Sequence, residues 1–160
     1  MKILKFPDKA LLTKCEDVTV FDEELKDTLD EMWNLMLESN GCGLAANQVG
    51  ILKNFFIMLA PNRQQSYFIN PTIALKSIEM TNLAEGCLST PGEYLTLNRA
   101  NKIVLCYQTH TGDKKTQEFT GIHAICIQHE IDHLLGKAFF EADEVPKKAK
   151  KRMQKKWGLV

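Results

Sequence analysis

The sequence lacks any long hydrophobic run. No segment approaches the roughly 18 apolar residues of a membrane-spanning helix. The first ten residues, MKILKFPDKA, contain no continuous apolar stretch of the kind found in a signal peptide. We therefore expect neither a membrane segment nor a secretory leader. Surplus charge is also absent overall, because 20 basic residues balance 20 acidic ones. The excess of acidic residues outside the C-terminal segment argues against a nucleic-acid-binding body.

Cysteine is scarce, and its five positions form no recognisable framework: Cys15, Cys42, Cys87, Cys106 and Cys126. An odd number at irregular spacing does not fit the disulfide pattern of a small secreted protein. We expect free thiols in a reducing, cytoplasmic compartment, where a thiol can bind a metal or act as a nucleophile. A free cysteine is more often a small buried hydrophobe than a ligand. Cys15, Cys106 and Cys126 fit that description best, whereas Cys42 remains ambiguous.

The balanced charge hides one basic segment at the end of the chain. From Pro146 onward there are seven basic residues and no acidic one, so the rest of the chain holds 13 basic and 20 acidic residues. The length of 160 residues is that of one ordinary domain. Since we find no repeat and no dividing linker, we predict a single domain over residues 1–160.

Helical periodicity occurs in three segments, at about 22–39, at about 121–135, and from about Pro146 to Gly158. Short β-rich runs occur between them, at 55–59, 67–70, 72–75, 94–97, 102–108 and 116–119. This order predicts an α+β fold. We expect short antiparallel strands around a central helix, with an N-terminal helix and a C-terminal basic helix.

The sharpest chemical pattern lies in the second predicted helix, at residues 128–133. His129 and His133 are four residues apart, so their imidazoles share one helix face and can bind one metal ion. Glu130 can act as a base toward a water molecule at that metal. The same face continues with Ile122, Ile125 and Cys126. We therefore predict that the central helix is metal-binding and that its metal face is buried. Two histidines satisfied by ordinary hydrogen bonds remain the alternative.

A catalytic metal site usually has three protein ligands and one open position. The position at which the extended metalloprotease pattern has its third histidine is Phe139 here, and the two other histidines lie upstream. Glu141 and Glu144 are downstream candidates, but they lie in an acidic turn, and we interpret them as solvated or helix-capping charges. The upstream thiol of Cys87, in the segment EGCLS, is the better candidate, since the adjacent glycine allows close approach.

A third segment, GCGLAANQVG at 41–50, carries an amide between small residues. It is no phosphate-binding loop, because the required lysine and hydroxyl residue are absent. Gln48 could donate a hydrogen bond to a developing oxyanion. The alternative is a tight turn with an exposed glutamine.

Together, GCGLAANQVG, EGCLS and QHEIDHLLG resemble, in this order, the three motifs of the peptide deformylase family. The resemblance extends to the opening from Leu4 to Leu12, to residues 69–71 and to the region of Arg99. It implies a metal-dependent hydrolase that removes the formyl group from the formyl-methionine of newly made peptides and releases formate.

The resemblance also implies roles for individual residues. The implied metal ligands are Cys87, His129 and His133. Glu130 would be the acid and base of the reaction, and Gln48 with the backbone N–H of Leu88 would bind the oxyanion. The residues implied around the methionine side chain are Gly43, Leu88, Ile125, Cys126 and His129.

The implied cofactor is one divalent metal ion. The resemblance favours iron(II), although a thiolate with two imidazoles suits zinc, cobalt and nickel as well. The implied partners are a formyl-methionyl peptide and, through the basic C-terminal helix, the ribosome, because a bacterial member's terminal helix is associated with ribosome docking. We expect this helix to lie outside the active site and short-peptide activity to survive its removal.

Two positions depart from the family pattern. Leu135 stands where the third motif often has asparagine, which should affect packing alone. Tyr94 stands where well-known bacterial members have an arginine near the peptide path. The resemblance therefore does not predict the contacts to substrate residues beyond the first.

Two other functions compete with the deformylase interpretation. A zinc endopeptidase would need a downstream metal ligand, for which the sequence offers only poor candidates. A structural metal site in a binding module would need four protein ligands, and it would leave Glu130 and Gln48 without a role.

Overall fold

A computed structural model describes residues 1–142 and 145–159, and it confirms the α+β class. The helices are α1 (Glu23–Glu38), α2 (Gly121–Leu134) and α3 (Lys147–Lys156). The strands are β1 (Gly43–Ala45), β2 (Phe55–Leu59), β3 (Gln65–Lys76), β4 (Met80–Gly86), β5 (Tyr94–Ala100), β6 (Lys102–Gln108) and β7 (Lys114–Thr120). None of the helices in these ranges is long and apolar enough to cross a membrane.

The strands form two antiparallel sheets. The larger sheet has the order β1-β2-β3-β6-β7, and β4 pairs with β5 in a separate two-stranded sheet. Helix α2 packs against strands of both sheets, including β1, β2, β7 and β5. Its buried Ala124, Ile127 and Leu134 join the core beneath the larger sheet, together with Phe56 and Phe68. The helix is therefore held centrally, as the sequence predicts.

Helix α1 begins directly after its capping residue, Asp22. The side chain of Asp22 accepts a hydrogen bond of 3.0 Å from the backbone N–H of Leu25, which satisfies one free donor of the first turn. The apolar residues at helical spacing are buried: Leu25, Leu29, Met32 and Met36. Asn40 ends the segment with a positive φ of 55°. This packing places the following residues, 41–50, beside α2.

The strand predictions placed a break inside one strand, and they did not include β1 and β4. The runs at 67–70 and 72–75 belong to one strand, β3, which passes Pro71 through an irregularity in its pairing with β6. Asn70 adopts a φ of 49° there, and such a bulge accommodates a proline that cannot donate a ladder hydrogen bond. Strand β4 was not predicted, because MTNLAEG has too few β-branched and aromatic residues for a recognisable run.

Helix α3 packs on the body by an apolar stripe. Met153 is fully buried against a cluster that contains Phe6 and Phe140, and Ala149 and Trp157 border the same cluster. Pro146 is the residue before the first helical residue, Lys147, and is not itself the first helical residue. The lysines that remain exposed along the helix are Lys147, Lys148, Lys151, Lys155 and Lys156. The helix thus combines a docked apolar stripe with a solvated basic surface.

Candidate active site

The three predicted metal ligands lie together. Helix α2 presents His129 and His133 one turn apart, both buried, and Cys87 follows the last residue of β4. The Sγ atom of Cys87 is 3.1 Å from Nε2 of His133. The ligand atoms of all three residues lie within 4.8 Å of one another, so one metal ion fits among them.

The electrostatics of this cluster suit a metal-binding thiolate. Burial raises the pKa of the Cys87 thiol, but the imidazoles of His133 and His129 outweigh this effect and hold the pKa well below its usual value. The backbone N–H of Ser89 also points at the sulfur, at 3.4 Å. Because a metal binds the thiolate form, these neighbours prepare Cys87 to act as a ligand.

A buried ion-pair network that the sequence analysis missed supports His129. Its Nδ1 atom lies 2.9 Å from Oε2 of Glu85, and this hydrogen bond leaves the other ring nitrogen free for a metal. Arg99 donates to both oxygens of Glu85, at 2.7 and 2.9 Å, and to Asp132 at 2.6 Å. Glu85 lies on β4 and Arg99 on the paired strand β5. The available signals were the position of Glu85 in the EGCLS motif and the extension of the family resemblance to the region of Arg99.

Glu130 is buried beside the cluster. Among the described residues, its Oε2 atom has no hydrogen-bond partner. Burial raises the pKa of Glu130 to about 8. Gly43 provides the space for this carboxyl group, because a Cβ atom at that position would stand 2.4 Å from Oε1. The carboxyl group is therefore close-packed and free to exchange a proton within the site.

Gln48 is buried, with 2% of its surface exposed, so the alternative of an exposed glutamine was wrong. Its Oε1 atom accepts a hydrogen bond of 2.9 Å from the backbone N–H of Ala45, which fixes the orientation of the amide. Its Nε2 group then points at Ser89 Oγ, at 3.1 Å, and at Cys87 Sγ, at 3.6 Å. The amide donor thus faces the candidate metal position. The contact with Ser89 was not predicted.

Neighbouring segments hold these groups in place. Asn47 donates to the backbone carbonyl of His133 and so ties residues 46–49 to helix α2. The ammonium group of Lys5 donates to the carbonyl oxygen of Leu88. The N-terminal segment thereby supports the stretch that follows Cys87.

A cavity of about 620 Å³ opens beside Cys87, His129 and Glu130. The residues predicted to surround the first substrate side chain all line it: Gly43, Leu88, Ile125, Cys126 and His129. Ile125 is buried as predicted, whereas the prediction for Ile122 was wrong, because 64% of its surface is exposed. Ile122 lies in the first turn of α2, where the helix reaches the open mouth of the cavity.

The mouth of the cavity includes the position that departs from the family pattern. Tyr94 is 69% exposed, and its ring lies over Gly86, where an added Cβ would come within 2.7 Å of it. The neighbouring Glu93 also lines the cavity, and it forms ion pairs with Arg152, at 3.1 Å, and with Lys156 of helix α3. Helix α3 is therefore connected to the rim of the cavity.

The downstream acidic residues do not enter this cluster. Glu141 is exposed, and Glu144 lies outside the described residues. Within the described ranges, the group of histidine, cysteine and acidic side chains that could hold a metal is the one made by Cys87, His129 and His133.

Comparison with known proteins gives one consistent result. Residues 1–151 match the family model described as polypeptide deformylase. The chain is 41% identical over 143 residues to a peptide deformylase of Neisseria meningitidis, covering 88% of this chain and 85% of the relative. A solved peptide deformylase from Plasmodium falciparum has a TM-score of 0.89 at 36% identity, covering 99% of this chain and 94% of that one. A solved peptide deformylase from Thermotoga maritima has a TM-score of 0.85 at 37% identity, covering 88% of this chain and 95% of that one. The chain therefore belongs to the polypeptide deformylase family of enzymes.

Proposed function

We propose that this chain hydrolyses the formyl amide at the N-terminus of newly made formyl-methionyl peptides, with one metal ion held by Cys87, His129 and His133. The observation that carries this proposal is the grouping of these three ligands next to the buried carboxyl group of Glu130 and the fixed amide of Gln48. A structural site would have no use for the last two groups.

When bound, the metal would act as a Lewis acid and would lower the pKa of a water molecule in its open position. Glu130 accepts a proton from the water that attacks the formyl carbon. The same carboxyl group returns a proton to the amine that leaves, so that formate and a free N-terminus result. Its pKa of about 8, raised by burial, supports a role in both directions of proton transfer near neutral pH.

The formyl oxygen becomes negatively charged as water attacks, and two donors are assigned to it. One is the Nε2 group of Gln48, and the other is the backbone N–H of Leu88. The hydrogen bond from Ala45 to Gln48 supports the first assignment, because the amide need not reorient during the reaction.

The methionine side chain of the substrate would occupy the cavity beside these donors. Gly43, Leu88, Ile125 and Cys126 give that cavity a wall of small and apolar groups, which suits an unbranched thioether side chain. Tyr94 offers an aromatic surface at the mouth, where residues beyond the first would pass.

Three finer points extend the proposal. Iron(II) is the metal that we favour, on the family resemblance, with zinc, nickel and cobalt compatible with the same ligands. The cytoplasm is the compartment that we infer, and the five free cysteines support a reducing environment. Residues 1–160 would act as one catalytic domain.

We also propose that helix α3 contacts ribosomal RNA. Its exposed lysines can make phosphate contacts that do not depend on sequence and that weaken with salt. The removal of the whole helix is an ambiguous test, because Met153 is buried and Arg152 and Lys156 bind Glu93.

A charge-reversal variant tests this contact more cleanly. Lys147, Lys151 and Lys155 are changed together to glutamate, and a control variant carries the same change at Lys76, Lys114 and Lys115, which are exposed elsewhere. Ribosome co-sedimentation at several salt concentrations should weaken for the first variant alone. Equal binding by both variants would exclude the docking role.

The activity itself is tested with formyl-methionyl and acetyl-methionyl peptides of the same sequence under anaerobic conditions. Formate release confined to the formyl substrate is the expected result. Internal cleavage of a blocked peptide would support an endopeptidase, and inactivity of the metal-loaded protein on every peptide would support a binding module.

A further inference from the structure

Two thiols face each other on the wall of the cavity, outside the set of metal ligands. The Sγ atoms of Cys42 and Cys126 lie 3.8 Å apart, although 84 positions separate the residues in the sequence. Cys42 is exposed and directly precedes β1, whereas Cys126 is half-buried on α2, three residues before His129. Both residues line the cavity, and neither thiol carries out a step of the proposed reaction.

We propose that Cys42 and Cys126 are a redox modification site, at which a peroxide converts the two thiols to a reversible disulfide across the cavity wall. A disulfide bond is about 2.0 Å long, so the two sulfur atoms must approach one another from their present 3.8 Å. Rotation of the two side chains toward each other provides this movement. In a reducing compartment, a disulfide of this kind is transient and acts as a sensor.

The reaction proceeds in two balanced steps. Cys42, the exposed partner, releases its proton, and the thiolate attacks one oxygen of hydrogen peroxide. The O–O bond breaks, and the departing hydroxide takes up the released proton and leaves as water. Cys42 is then a sulfenic acid. The thiol of Cys126 attacks that sulfur, the S–O bond breaks, and the second water leaves with the proton of Cys126. The two thiols lose two electrons, and one peroxide becomes two waters.

The surroundings of Cys126 link this bond to the active site. A Cβ atom at Gly43 would stand 2.9 Å from the sulfur of Cys126 and 2.4 Å from Oε1 of Glu130. The cysteine sulfur, the glycine backbone and the catalytic carboxyl group are therefore packed without spare room. When Cys126 is drawn toward Cys42, the wall of the cavity changes next to Glu130, and turnover should fall.

The cross-link is tested on the full chain loaded with zinc, since zinc itself is not oxidised. The protein is treated with hydrogen peroxide and analysed by intact mass and by non-reducing peptide mapping. We expect a mass lower by two hydrogen atoms and a linked pair of peptides that contain Cys42 and Cys126. Cys42→Ser and Cys126→Ser should not form this pair. Cys106→Ser should form it, because Cys106 lies on β6 beside Thr116.

The effect on activity rests on the proposed function and is measured separately on the same samples. Each variant is compared with its own untreated form. Oxidation should lower kcat/KM of the wild type by roughly ten- to a hundredfold, as expected for small displacements near reacting groups. Dithiothreitol should restore it, and Cys42→Ser should show no loss that dithiothreitol reverses.

The outcomes separate the two proposals. Absence of the cross-link, or a cross-link through Cys87 instead, would overturn the assignment of Cys42 and Cys126. A complete cross-link that left kcat/KM unchanged would overturn the claim that the disulfide lowers activity by changing the cavity wall. If untreated protein released no formate, the proposed function would fail, while the mass measurement would still decide whether the disulfide forms.

Discussion

The Nδ1 atom of His129 lies 2.9 Å from a carboxylate oxygen of Glu85, and Arg99 holds that carboxylate with two further hydrogen bonds. The ring orientation of one proposed metal ligand on α2 therefore depends on an ion pair between β4 and β5. This network connects the two-stranded sheet to the candidate metal site, since Cys87 directly follows β4.

Replacement of Glu85 by glutamine should weaken metal binding. The change removes the charged acceptor that orients His129, and a loss of roughly 10- to 100-fold in affinity is typical for such partners. Zinc affinity measured by competition with a chelator checks this prediction. Glu79→Gln is the matched control, because Glu79 is exposed and lies before β4. Equal affinities for both variants would show that Glu85 does not position the ligand.

Replacement of Gly43 by alanine should reduce activity sharply. The new Cβ would stand 2.4 Å from Oε1 of Glu130 and 2.9 Å from Sγ of Cys126, so it would displace the carboxyl group that we propose as the acid and base. We expect kcat/KM to fall by about 100-fold, as for other small misplacements of catalytic groups. Gly86→Ala is the comparison, because its Cβ would meet only the exposed ring of Tyr94, which can rotate away. A larger loss in Gly86→Ala than in Gly43→Ala would contradict this argument.

The helices could be predicted from the sequence because their signals are local. Asp22 caps α1, and the apolar spacing defines its buried face. Strand β4 could not be predicted in this way, because its residues become a strand only by pairing with β5. The continuity of β3 past Pro71 likewise depends on a bulge against β6, a non-local event.

The residues of the candidate site likewise differ in whether a local sequence pattern predicts them. His129 and His133 are predictable from one helix turn, and Cys87 from its motif. The family resemblance supplied the relation between the motifs. Glu85 and Ser89 are the first and last residues of the EGCLS motif, but their contacts depend on partners 44 and 41 residues away. No local pattern encodes such contacts.

Replacement of Gln48 by alanine should lower kcat with little change in KM. In the proposed mechanism the amide donor stabilises charge that develops only during the reaction, and the loss of such a donor typically costs about 10²–10³ in kcat. Steady-state kinetics on a formyl-methionyl peptide measure both constants. A change confined to KM would assign Gln48 to substrate binding instead.

Replacement of Met153 by alanine should destabilise the protein. Met153 is the fully buried residue of α3, and a change from methionine to alanine in a core costs about 2–5 kcal/mol. Urea denaturation followed by circular dichroism measures the free energy of unfolding. Lys151→Ala, on the exposed side of the same helix, is the control and should change it by less than about 0.5 kcal/mol. Equal, small effects would mean that α3 contributes little to the folded body.

The central claim is that Cys87 binds the metal whereas Glu130 moves the proton. The most direct measurement determines metal content and formate release together in Cys87→Ala and Glu130→Gln. We predict that Cys87→Ala loses most of its metal. Glu130→Gln should keep the metal while its activity falls by roughly 10²–10⁴, the usual range for the loss of a general acid–base group. Normal metal content in Cys87→Ala, or near-normal turnover in Glu130→Gln, would contradict the account.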